Sequence, residues 1–410
     1  MREWQNVKLG DLCLKIGSGA TPRGGKESYK ESGIAFIRSQ NVLDFSFSKE
    51  GLAYISEGQA AQLDNVAVQS GDVLVNITGD SVARVCMVPD EYLPARVNQH
   101  VAIIRSNAKK ADKNYILYCL QYYKDHLLSI SSSGGTRNAL TKKMLEELLI
   151  SLPSLDTQRE LGEILNVFDK KIDLNNKIVC CLEQMAQAIF KSWFVDFEPW
   201  GGIIPKNWRK VTLDDVIWIK HGYAFKGKYF CDEKTDFLLV TPGNFSIGGG
   251  FQEKPKYYNG QIPKDYILKK DDVIVTMTDL SKEGDTLGYS ALVPENEKYL
   301  HNQRIGLVSV KTDAPLKEYI YWLMRTREYQ RFIVNHASGS TVKHTSPKTI
   351  LTYPFVMPDN HTLQTISNTL RIINQRVSLN NAESERLATL RDALLPQLMS
   401  GEHSVSKFRR

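Results

Sequence analysis

The sequence predicts an α/β (α+β) fold built as a tandem repeat with pseudo-two-fold symmetry. In this fold two globular domains are separated by two long helices, which pack as an antiparallel coiled coil. Three observations predict it. Two stretches carry long heptad repeats of apolar residues, the segments before them align with each other at an offset near 205 residues, and each half contains short apolar runs of strand length.

The first long helix is predicted from Thr157 to Phe197. Its apolar residues recur in alternating steps of four and three over 33 residues, which is typical of a coiled-coil seam. Thr157 and Glu160 have the spacing of a capping box, and Pro199 marks the end. The seam includes Leu161, Leu165, Phe168, Ile172, Asn175, Leu182 and Ile189.

The second long helix repeats this pattern about 205 residues later. Asn380 occupies the heptad position of Asn175, and a buried asparagine pair can fix the register of two helices. Parallel and antiparallel packing would both bring the two asparagines together, but the symmetry of the halves favours antiparallel packing. The second seam includes Ile366, Leu370, Ile373, Val377, Asn380, Leu387 and Leu394.

The globular parts are repeated too. Trp4 to Asp11 aligns with Trp208 to Asp215, and Asn98-Gln99-His100 aligns with Asn302-Gln303-Arg304, both at an offset of 204. The predicted strands are 73–75, 101–104 and 149–152 in the first half and 273–275 and 305–310 in the second, with helices over 115–128 and 316–334. The predicted segments are 1–155 (first domain), 156–200 (central helix), 201–360 (second domain), 361–402 (C-terminal helix) and 403–410 (tail).

Composition narrows the class of protein. The chain has 410 residues, a net charge of +6 and no apolar run long enough to span a bilayer. Its six cysteines form no CxxC pair, which argues against zinc and disulfides. We therefore expect a cytoplasmic protein with no membrane association and no metal site. The charge permits nucleic acid as a partner without requiring it.

The sequence carries no recognisable catalytic motif. A phosphate-binding loop ending at Gly25-Lys26 would need glycine at position 20 and a hydroxyl residue at 27, where Ala20 and Glu27 stand. No dinucleotide fingerprint follows a strand, and no Pro-Pro pair is present for an amino-methyltransferase motif. We therefore predict no catalytic residue and no cofactor bound by this chain.

Polar loops follow the predicted strands at matching places in both halves. Glycine permits close backbone approach, hydroxyls and lysines hold phosphates, and Arg, Asn or Gln can read base edges. The candidates in the first half are Ser18, Thr21, Arg23, Arg38, Ser39, Asn41, Asn76, Thr78, Gly79, Ser81, Arg84, Asn98, Gln99, His100, Gly134, Thr136, Arg137, Asn138 and Lys142. Those in the second half are His221, Tyr223, Lys226, Thr241, Asn244, Thr276, Thr278, Asp279, Lys282, Asn302, Gln303, Arg304, Ser340, Thr341, Lys343, His344 and Lys348.

Three further stretches carry a family resemblance. They are Trp4 with Val7-Lys8-Leu9-Gly10-Asp11, the run from Phe190 to Pro199 (FKSWFVDFEP), and the run from Leu390 to Glu402 (LRDALLPQLMSGE). With them the chain resembles, from end to end, the specificity (S) subunit of type I restriction–modification systems. The second helix departs slightly, because Thr365 stands where the capping-box glutamate would fall.

The resemblance implies a non-catalytic, DNA-binding subunit. Each globular domain would be a target-recognition domain that reads one half of a bipartite, asymmetric site in double-stranded DNA, and the helices would set the gap. The helices would also dock two modification (adenine-N6 methyltransferase) subunits, joined by restriction subunits. S-adenosylmethionine, ATP and Mg would be bound by those partners.

The apolar end of the central helix is the predicted docking patch for a modification subunit. An equally supported interpretation is that it packs against its own domain. The patch comprises Phe190, Trp193, Phe194 and Phe197.

Three other functions remain open at this point. A self-contained enzyme would show activity as an isolated chain. A coiled-coil scaffold that binds proteins would show at most salt-dependent, sequence-independent DNA binding. An orphan DNA-binding protein would act outside restriction–modification.

Overall fold

The computed structural model describes residues 4–132, 138–312 and 314–401. The chain forms two compact units. Unit 1 contains the residues up to Asn175 together with those from Ala382 onward, and unit 2 contains Asn176–Asn381. Each unit therefore combines one globular domain with half of each long helix. The segment boundaries expected from the sequence remain a prediction.

The described residues of unit 1 form ten strands and a set of helices. The strands are β1 Gln5–Lys8, β2 Cys13–Ser18, β3 Ile34–Ile37, β4 Ala53–Ile55, β5 Ala67–Val68, β6 Val73–Asn76, β7 Val85–Met87, β8 Ala95–Val97, β9 Val101–Ser106 and β10 Leu149–Leu152. The helices are α1 Leu9–Leu12, α2 Glu57–Gln62, α3 Lys113–Tyr122, α4 Lys124–Ser131, α5 Lys142–Glu147 and the beginning of α6 Leu155–Phe194. The three predicted strands correspond to β6, β9 and β10.

Two four-stranded sheets and one strand pair organise unit 1. Their strand orders are β2-β9-β6-β7, β4-β3-β8-β5 and β1-β10. The pairings of these named strands are antiparallel except that of β3 with β8, as far as the chain is described. Alternate side chains of β6 and β9 enter different cores because successive residues of a strand face opposite sides of a sheet. Val73 and Val75 belong to one hydrophobic core and Leu74 to the other.

In unit 2 the residues that the structure describes form twelve strands. They are β11 Arg209–Thr212, β12 Ile217–His221, β13 Phe230–Cys231, β14 Leu238–Leu239, β15 Tyr257–Tyr258, β16 Val273–Thr276, β17 Thr278–Asp279, β18 Ser290–Leu292, β19 Tyr299–Leu300, β20 Ile305–Val310, β21 Lys343–His344 and β22 Pro354–Met357. Its helices are α7 Lys317–Leu323, α8 Arg327–Asn335, α9 Pro347–Leu351, part of α6 and the first half of α10 Asn360–Met399.

The topology of unit 2 repeats that of unit 1. The sheet β12-β20-β16-β18 and the pair β11-β22 match β2-β9-β6-β7 and β1-β10 strand for strand, and β15-β14-β19 matches β4-β3-β8 of the other sheet. The fourth strand of that sheet differs, because β13 pairs with β15 in unit 2 whereas β5 pairs with β8, at the opposite edge, in unit 1. The parallel pairing of β3 with β8 recurs between β14 and β19. Unit 2 adds the short pair β17-β21. The predicted tandem repeat with mixed helix and sheet is confirmed.

The two long helices run antiparallel. Within unit 1, Asp169 of α6 pairs with Arg391 of α10, while Asn175 of α6 bonds to Glu383. Residue numbers that rise along one helix therefore fall along the other. The seam residues contribute to the cores as well: Leu161 and Leu165 lie in a core of unit 1, and Ile366 and Leu370 lie in a core of unit 2.

The two seam asparagines are buried, but each has its own hydrogen-bond partner. The Asn175 amide donates to the Glu383 carboxylate at 2.9 Å, and its own carbonyl oxygen is buried with no hydrogen-bond partner among the residues that the structure describes. The Asn380 amide donates to the Arg376 carbonyl at 2.7 Å. Asn175 is thus bonded to Glu383 and Asn380 within its own helix, and a pairing of the two asparagines stays a prediction.

The predicted start of the central helix is wrong by two residues. The helix begins at Leu155, and the Ser154 hydroxyl lies 3.4 Å from the Thr157 backbone nitrogen, which donates to it. Ser154 therefore has the capping role expected of Thr157. The second long helix is capped by Asp359, whose carboxylate accepts from the backbone of His361 and Thr362.

Each of the two predicted shorter helices is interrupted. The first becomes α3 and α4, because Tyr123 leaves helical geometry between them. The second becomes α7 and α8, and the Thr326 hydroxyl caps α8 by accepting from Tyr329. None of the helices in the described part of the chain is both long enough and apolar enough to cross a bilayer.

Candidate nucleic-acid interface

The polar loops of unit 1 converge at one end of its sheets. The loop after β2 lies against the turn between β8 and β9, since the Gly19 nitrogen donates to Val101 and the Ala20 nitrogen to Val97, at 2.9 and 3.0 Å. The segment after β6 joins them through a bond from the Ile77 nitrogen to the His100 carbonyl at 2.9 Å. Leu140 donates to Ile77 at 2.8 Å and brings in the segment that begins at Asn138.

Close backbone approach requires glycine at the centre of this surface. A Cβ atom on Gly19 would lie 2.1 Å from the Val97 carbonyl oxygen and 2.3 Å from that of Asn98, well inside contact distance. Unit 2 has the same feature, because a Cβ on Gly222 would lie 2.0 Å from the Asn302 carbonyl oxygen. In each unit the glycine places the first polar loop directly against the turn before β9 or β20.

The loops of unit 2 converge in the same way. The Tyr223 nitrogen donates to the His301 carbonyl at 2.8 Å, and the Gln303 nitrogen donates back to the Tyr223 carbonyl at 3.0 Å. The Met277 nitrogen donates to the Arg304 carbonyl at 2.9 Å. Strand β17 then pairs with β21, which adds Lys343 and His344 to the surface.

A threonine–histidine hydrogen bond lies at the centre of each surface, but the histidines are not equivalent. In unit 1, Thr78 Oγ1 lies 2.7 Å from Nδ1 of His100, which belongs to the turn before β9. In unit 2, Thr278 Oγ1 lies 3.1 Å from Nδ1 of His344, which belongs to β21. Arg304 occupies the place of His100 in the repeat.

Many of the predicted DNA-binding residues are accessible. Those that are exposed in unit 1 are Ser18, Thr21, Arg23, Gly79, Gln99, Asn138 and Lys142. Those exposed in unit 2 are His221, Tyr223, Lys226, Lys282, Gln303, Arg304, Ser340, Thr341, His344 and Lys348. The half-buried ones are Arg38, Ser39, Thr78, Ser81, Arg84, His100, Thr241 and Lys343. Gly134, Thr136 and Arg137 lie outside the described residues.

Asn41 and Asn244 are buried and hold loops together. The Asn41 Oδ1 accepts from the Arg38 nitrogen at 3.0 Å, and its Nδ2 donates to the carbonyls of Ser48 and Glu50. Asn244 makes the matching bonds with Thr241, Gln252 and Lys254. Because their amide groups are hydrogen-bonded to backbone atoms, these two side chains stabilise the loops of the surface and are not available to contact DNA.

Other buried candidates have similar local partners. Asn76 donates to the carbonyls of Ser39 and Val42, and the Thr276 hydroxyl donates to the Thr278 carbonyl. Burial alone would raise the pKa of Asp279, but hydrogen bonds from Ser281 and Thr286 outweigh it and hold that pKa below its ordinary value. Asp279 therefore closes the loop after β17 as a carboxylate.

A buried histidine supports the turn of unit 2. The Nε2 atom of His301 lies 2.9 Å from the Ile305 carbonyl oxygen, and its Nδ1 has no partner among the described residues. Burial lowers the pKa of His301 to about 4, so the ring is neutral near pH 7. Val97 is its counterpart in unit 1. Sequence reasoning missed His301, although this difference between the repeats was a signal.

Two of the four predicted docking residues are not on the surface. Phe190 and Phe194 are buried in a core of unit 2, in contact with Tyr319. Trp193 and Phe197 are half-buried against the same core. The structure therefore favours the alternative interpretation for Phe190 and Phe194, which pack against their own domain because helix α6 supplies one side of its core. Docking through Trp193 and Phe197 stays a prediction.

The described residues contain no group of three or more His, Cys, Asp or Glu side chains arranged to hold a metal ion. The geometry instead defines a duplicated recognition protein. Each unit presents convergent polar loops at the ends of its strands and is built onto paired helices.

Comparison with known proteins gives the family. The family model described as the type I restriction modification DNA specificity domain matches this chain twice, over residues 1–184 and 205–389. The chain belongs to this family, the specificity subunits of type I restriction–modification systems, which contain DNA-recognition domains.

Relatives align along almost the whole chain. The MjaIX specificity subunit of Methanocaldococcus jannaschii is 24% identical over 428 residues, which cover 99% of this chain and 95% of that protein. The HindI specificity subunit of Haemophilus influenzae is 22% identical, with 98% and 100% covered. The crystal structure of a type I S subunit from M. genitalium has a TM-score of 0.60 at 14% identity, covering 97% of this chain and 96% of that one. At this low identity, the likeness to the M. genitalium structure shows a shared fold and nothing more.

Proposed function

We propose that each unit reads one half of a bipartite, asymmetric site in double-stranded DNA. The observation that carries this proposal is the convergence of equivalent polar loops at the same strand ends in both units, around Gly19 and around Gly222. The side chains on the two surfaces differ, as with His100 and Arg304. Two surfaces with the same backbone and different side chains suit two half-sites of different sequence.

The long helices set the distance between the half-sites in this proposal. Helices α6 and α10 have 40 residues each, which corresponds to about 60 Å at 1.5 Å per residue. One turn of DNA spans about 34 Å. Helices of this length therefore suit a site whose halves are separated by unread base pairs.

Catalysis belongs to partner subunits in this proposal. The chain docks two modification subunits that bind S-adenosylmethionine and methylate adenine, and restriction subunits with ATP and Mg complete the assembly. The chain itself is non-catalytic and acts in the cytoplasm. The relatives named above carry the words type I restriction enzyme specificity subunit in their names, which supports this assignment.

The test uses the full-length chain in its host. Tagged protein is purified with its partners, and methylated adenines are mapped in DNA from wild-type, deletion and complemented strains. We expect an adenine methyltransferase to copurify, and we expect one split motif with a fixed gap to lose methylation on deletion and regain it on complementation.

The absence of a methyltransferase partner together with an unchanged methylation map would refute the modification role. Purified protein would then separate the two alternatives. Binding to one DNA sequence would indicate an orphan DNA-binding protein, whereas salt-dependent binding without sequence preference would indicate a coiled-coil scaffold.

A further inference from the structure

The turn before β9 and the turn before β20 are built alike. Asn98 Oδ1 accepts from the His100 nitrogen at 3.1 Å, and Asn302 Oδ1 accepts from the Arg304 nitrogen at 3.2 Å. In each turn the carbonyl of the asparagine also accepts from the first residue of the next strand. The buried asparagine therefore fixes the backbone of the turn, and the glutamine that follows is exposed in both units.

The third residue of the turn differs between the units. In unit 1 it is His100, and both of its ring nitrogens have a hydrogen-bond partner. The His100 ring is half-buried, with Nδ1 2.7 Å from Thr78 Oγ1 and Nε2 3.3 Å from the amide nitrogen of Gln99. The ring thus connects the strand end at Thr78 to the exposed glutamine. Gln99 is held by a neighbour before any ligand arrives, which reduces the entropy that it loses on binding.

In unit 2 the third residue has no such role. Thr278 is the counterpart of Thr78, but its hydroxyl is engaged by His344 at 3.1 Å. Arg304 is exposed, and within the described part of the chain its guanidinium has no hydrogen bond or ion pair. Its five donors are therefore available to a ligand.

We propose that these two turns read bases and that their third residue determines which side chain reads. In unit 1, Gln99, oriented by His100, contacts an adenine of one half-site. In unit 2, Arg304 contacts a guanine of the other. The chemistry follows the base edges, since a carboxamide matches N6 and N7 of adenine, and a guanidinium matches O6 and N7 of guanine. This inference rests on the proposed function and adds the reading residues to it.

The alternative for both side chains is a contact with the phosphate backbone. A phosphate contact contributes affinity at every sequence, whereas a base contact contributes preference at one position. The two roles therefore give different results when the recognised motif is measured position by position.

The experiment replaces the chromosomal gene by variants and maps the methylated motif in each strain. Arg304→Ala should relax one guanine position of one half-site, and Gln99→Ala should relax one adenine position of the other. We expect the preference at the affected position to fall roughly 5- to 150-fold while the other half-site is unchanged. His100→Ala should relax the same position as Gln99→Ala, because it releases the glutamine.

Two exposed residues provide matched controls. Gln62→Ala, on α2, and Arg331→Ala, on α8, remove the same side-chain types elsewhere on each unit and should leave the motif unchanged. Thermal unfolding of each purified variant checks that it remains folded. Arg304→Lys, which retains one charge without the fork of donors, provides a milder second variant.

The results separate this inference from the function on which it rests. A wild-type strain with no split methylated motif would refute the proposed function and this inference with it. A split motif that stays the same in Arg304→Ala and Gln99→Ala, or that weakens equally at all positions, would overturn the base-reading roles alone.

Discussion

Arg325 and Glu183 form an ion pair that fastens helix α6 to the globular part of unit 2. Arg325 Nη1 lies 3.1 Å from Glu183 Oε1, and the Arg325 side chain is only 3% exposed. The same guanidinium donates to the carbonyls of Gly248 and Gly249 and to the Tyr321 hydroxyl. Removal of this buried cation should lower the free energy of unfolding strongly, because it leaves several buried acceptors without donors.

Unit 1 has a comparable anchor at a different place. Arg391 of α10 is buried and pairs with Asp169 of α6, and its guanidinium carbon lies 3.5 Å from the centre of the Phe45 ring. The Tyr118 hydroxyl donates to the second oxygen of Asp169 at 2.6 Å. Both units thus use a buried arginine to join helix and domain, although the two arginines are not equivalent in the repeat.

The first prediction concerns the strength of the unit 2 anchor. Arg325→Ala should lower the free energy of unfolding by about 3 kcal/mol, because it breaks a buried pair and strands the two glycine carbonyls. Glu183→Gln should cost only about 1 kcal/mol, because an amide oxygen can still accept. Five of the six tryptophans lie within unit 2, so denaturant unfolding followed by tryptophan fluorescence reports mainly on this unit.

Arg331→Ala is the control for this series. It removes an exposed arginine from α8 and should change the free energy of unfolding by less than about 0.5 kcal/mol. Equal effects of Arg325→Ala and Arg331→Ala would contradict the structural role of the buried pair.

The second prediction concerns Asn175. Within the described part of the chain its buried carbonyl oxygen has no hydrogen-bond partner, and Glu383, to which its amide donates, also pairs with Lys171 at 3.2 Å. Asn175→Leu, alone or with Asn380→Leu, should therefore raise the melting temperature, because a desolvated polar group is replaced by an apolar one in a heptad seam. Register should loosen at the same time.

Differential scanning calorimetry of the full chain measures the first effect. Variation in the gap of the methylated motif measures the second. A clear fall in melting temperature for Asn175→Leu would mean that its bond to Glu383 outweighs the cost of burying the amide.

The third prediction is a pH dependence caused by His301. Burial is the main reason that its folded-state pKa is about 4, whereas an unfolded histidine titrates near 6.5. A histidine with a lowered pKa binds its proton more weakly when folded, so its contribution to stability is present above pH 6.5 and is lost as the pH falls towards 4. Linkage over this interval corresponds to about 3 kcal/mol.

His301→Val provides the matched variant, because Val97 fills the corresponding position of unit 1 and is buried there. Unfolding of both proteins is followed by tryptophan fluorescence between pH 7 and pH 4. The variant should lose less stability than the wild type in this interval. Parallel curves for the two proteins would show that another group causes the loss.

Heptad spacing and the repeat were sufficient to predict the two long helices and the duplicated fold. Strands such as Ile305–Val310 were also predicted because they are continuous apolar runs. The short strands of the sheets β4-β3-β8-β5 and β13-β15-β14-β19 were not predicted. Leu238–Leu239 has only two residues, and it is a strand because Tyr257 and Tyr299, distant in sequence, pair with it.

The candidate site was predicted at the level of loops but not of side-chain roles. Asn41 and Asn244 look like DNA-binding residues in a polar segment, yet both amides are used by the backbone. In the sequence, a polar residue whose side chain bonds to the backbone of its own loop looks the same as a polar residue that contacts a ligand. The repeat offers a better signal when it is combined with burial, since a polar residue that is identical and buried in both surfaces, as Asn41 and Asn244 are, has a structural role.

The last prediction tests whether the contact between loop and turn at Gly19 is needed for recognition. Gly19→Ala would place a Cβ atom 2.1 Å from the Val97 carbonyl oxygen, so the loop after β2 must move away from the turn that carries Gln99. Gly17→Ala, two residues earlier on β2, meets no atom within 4 Å and is the matched control. Overpacking of this kind typically costs about 1–3 kcal/mol. Gly19→Ala should therefore lower stability and reduce methylation of the wild-type motif, while Gly17→Ala should change both much less. If the two variants retained equal methylation, the close approach would be a feature of folding alone, and the recognition surface of unit 1 would not depend on it.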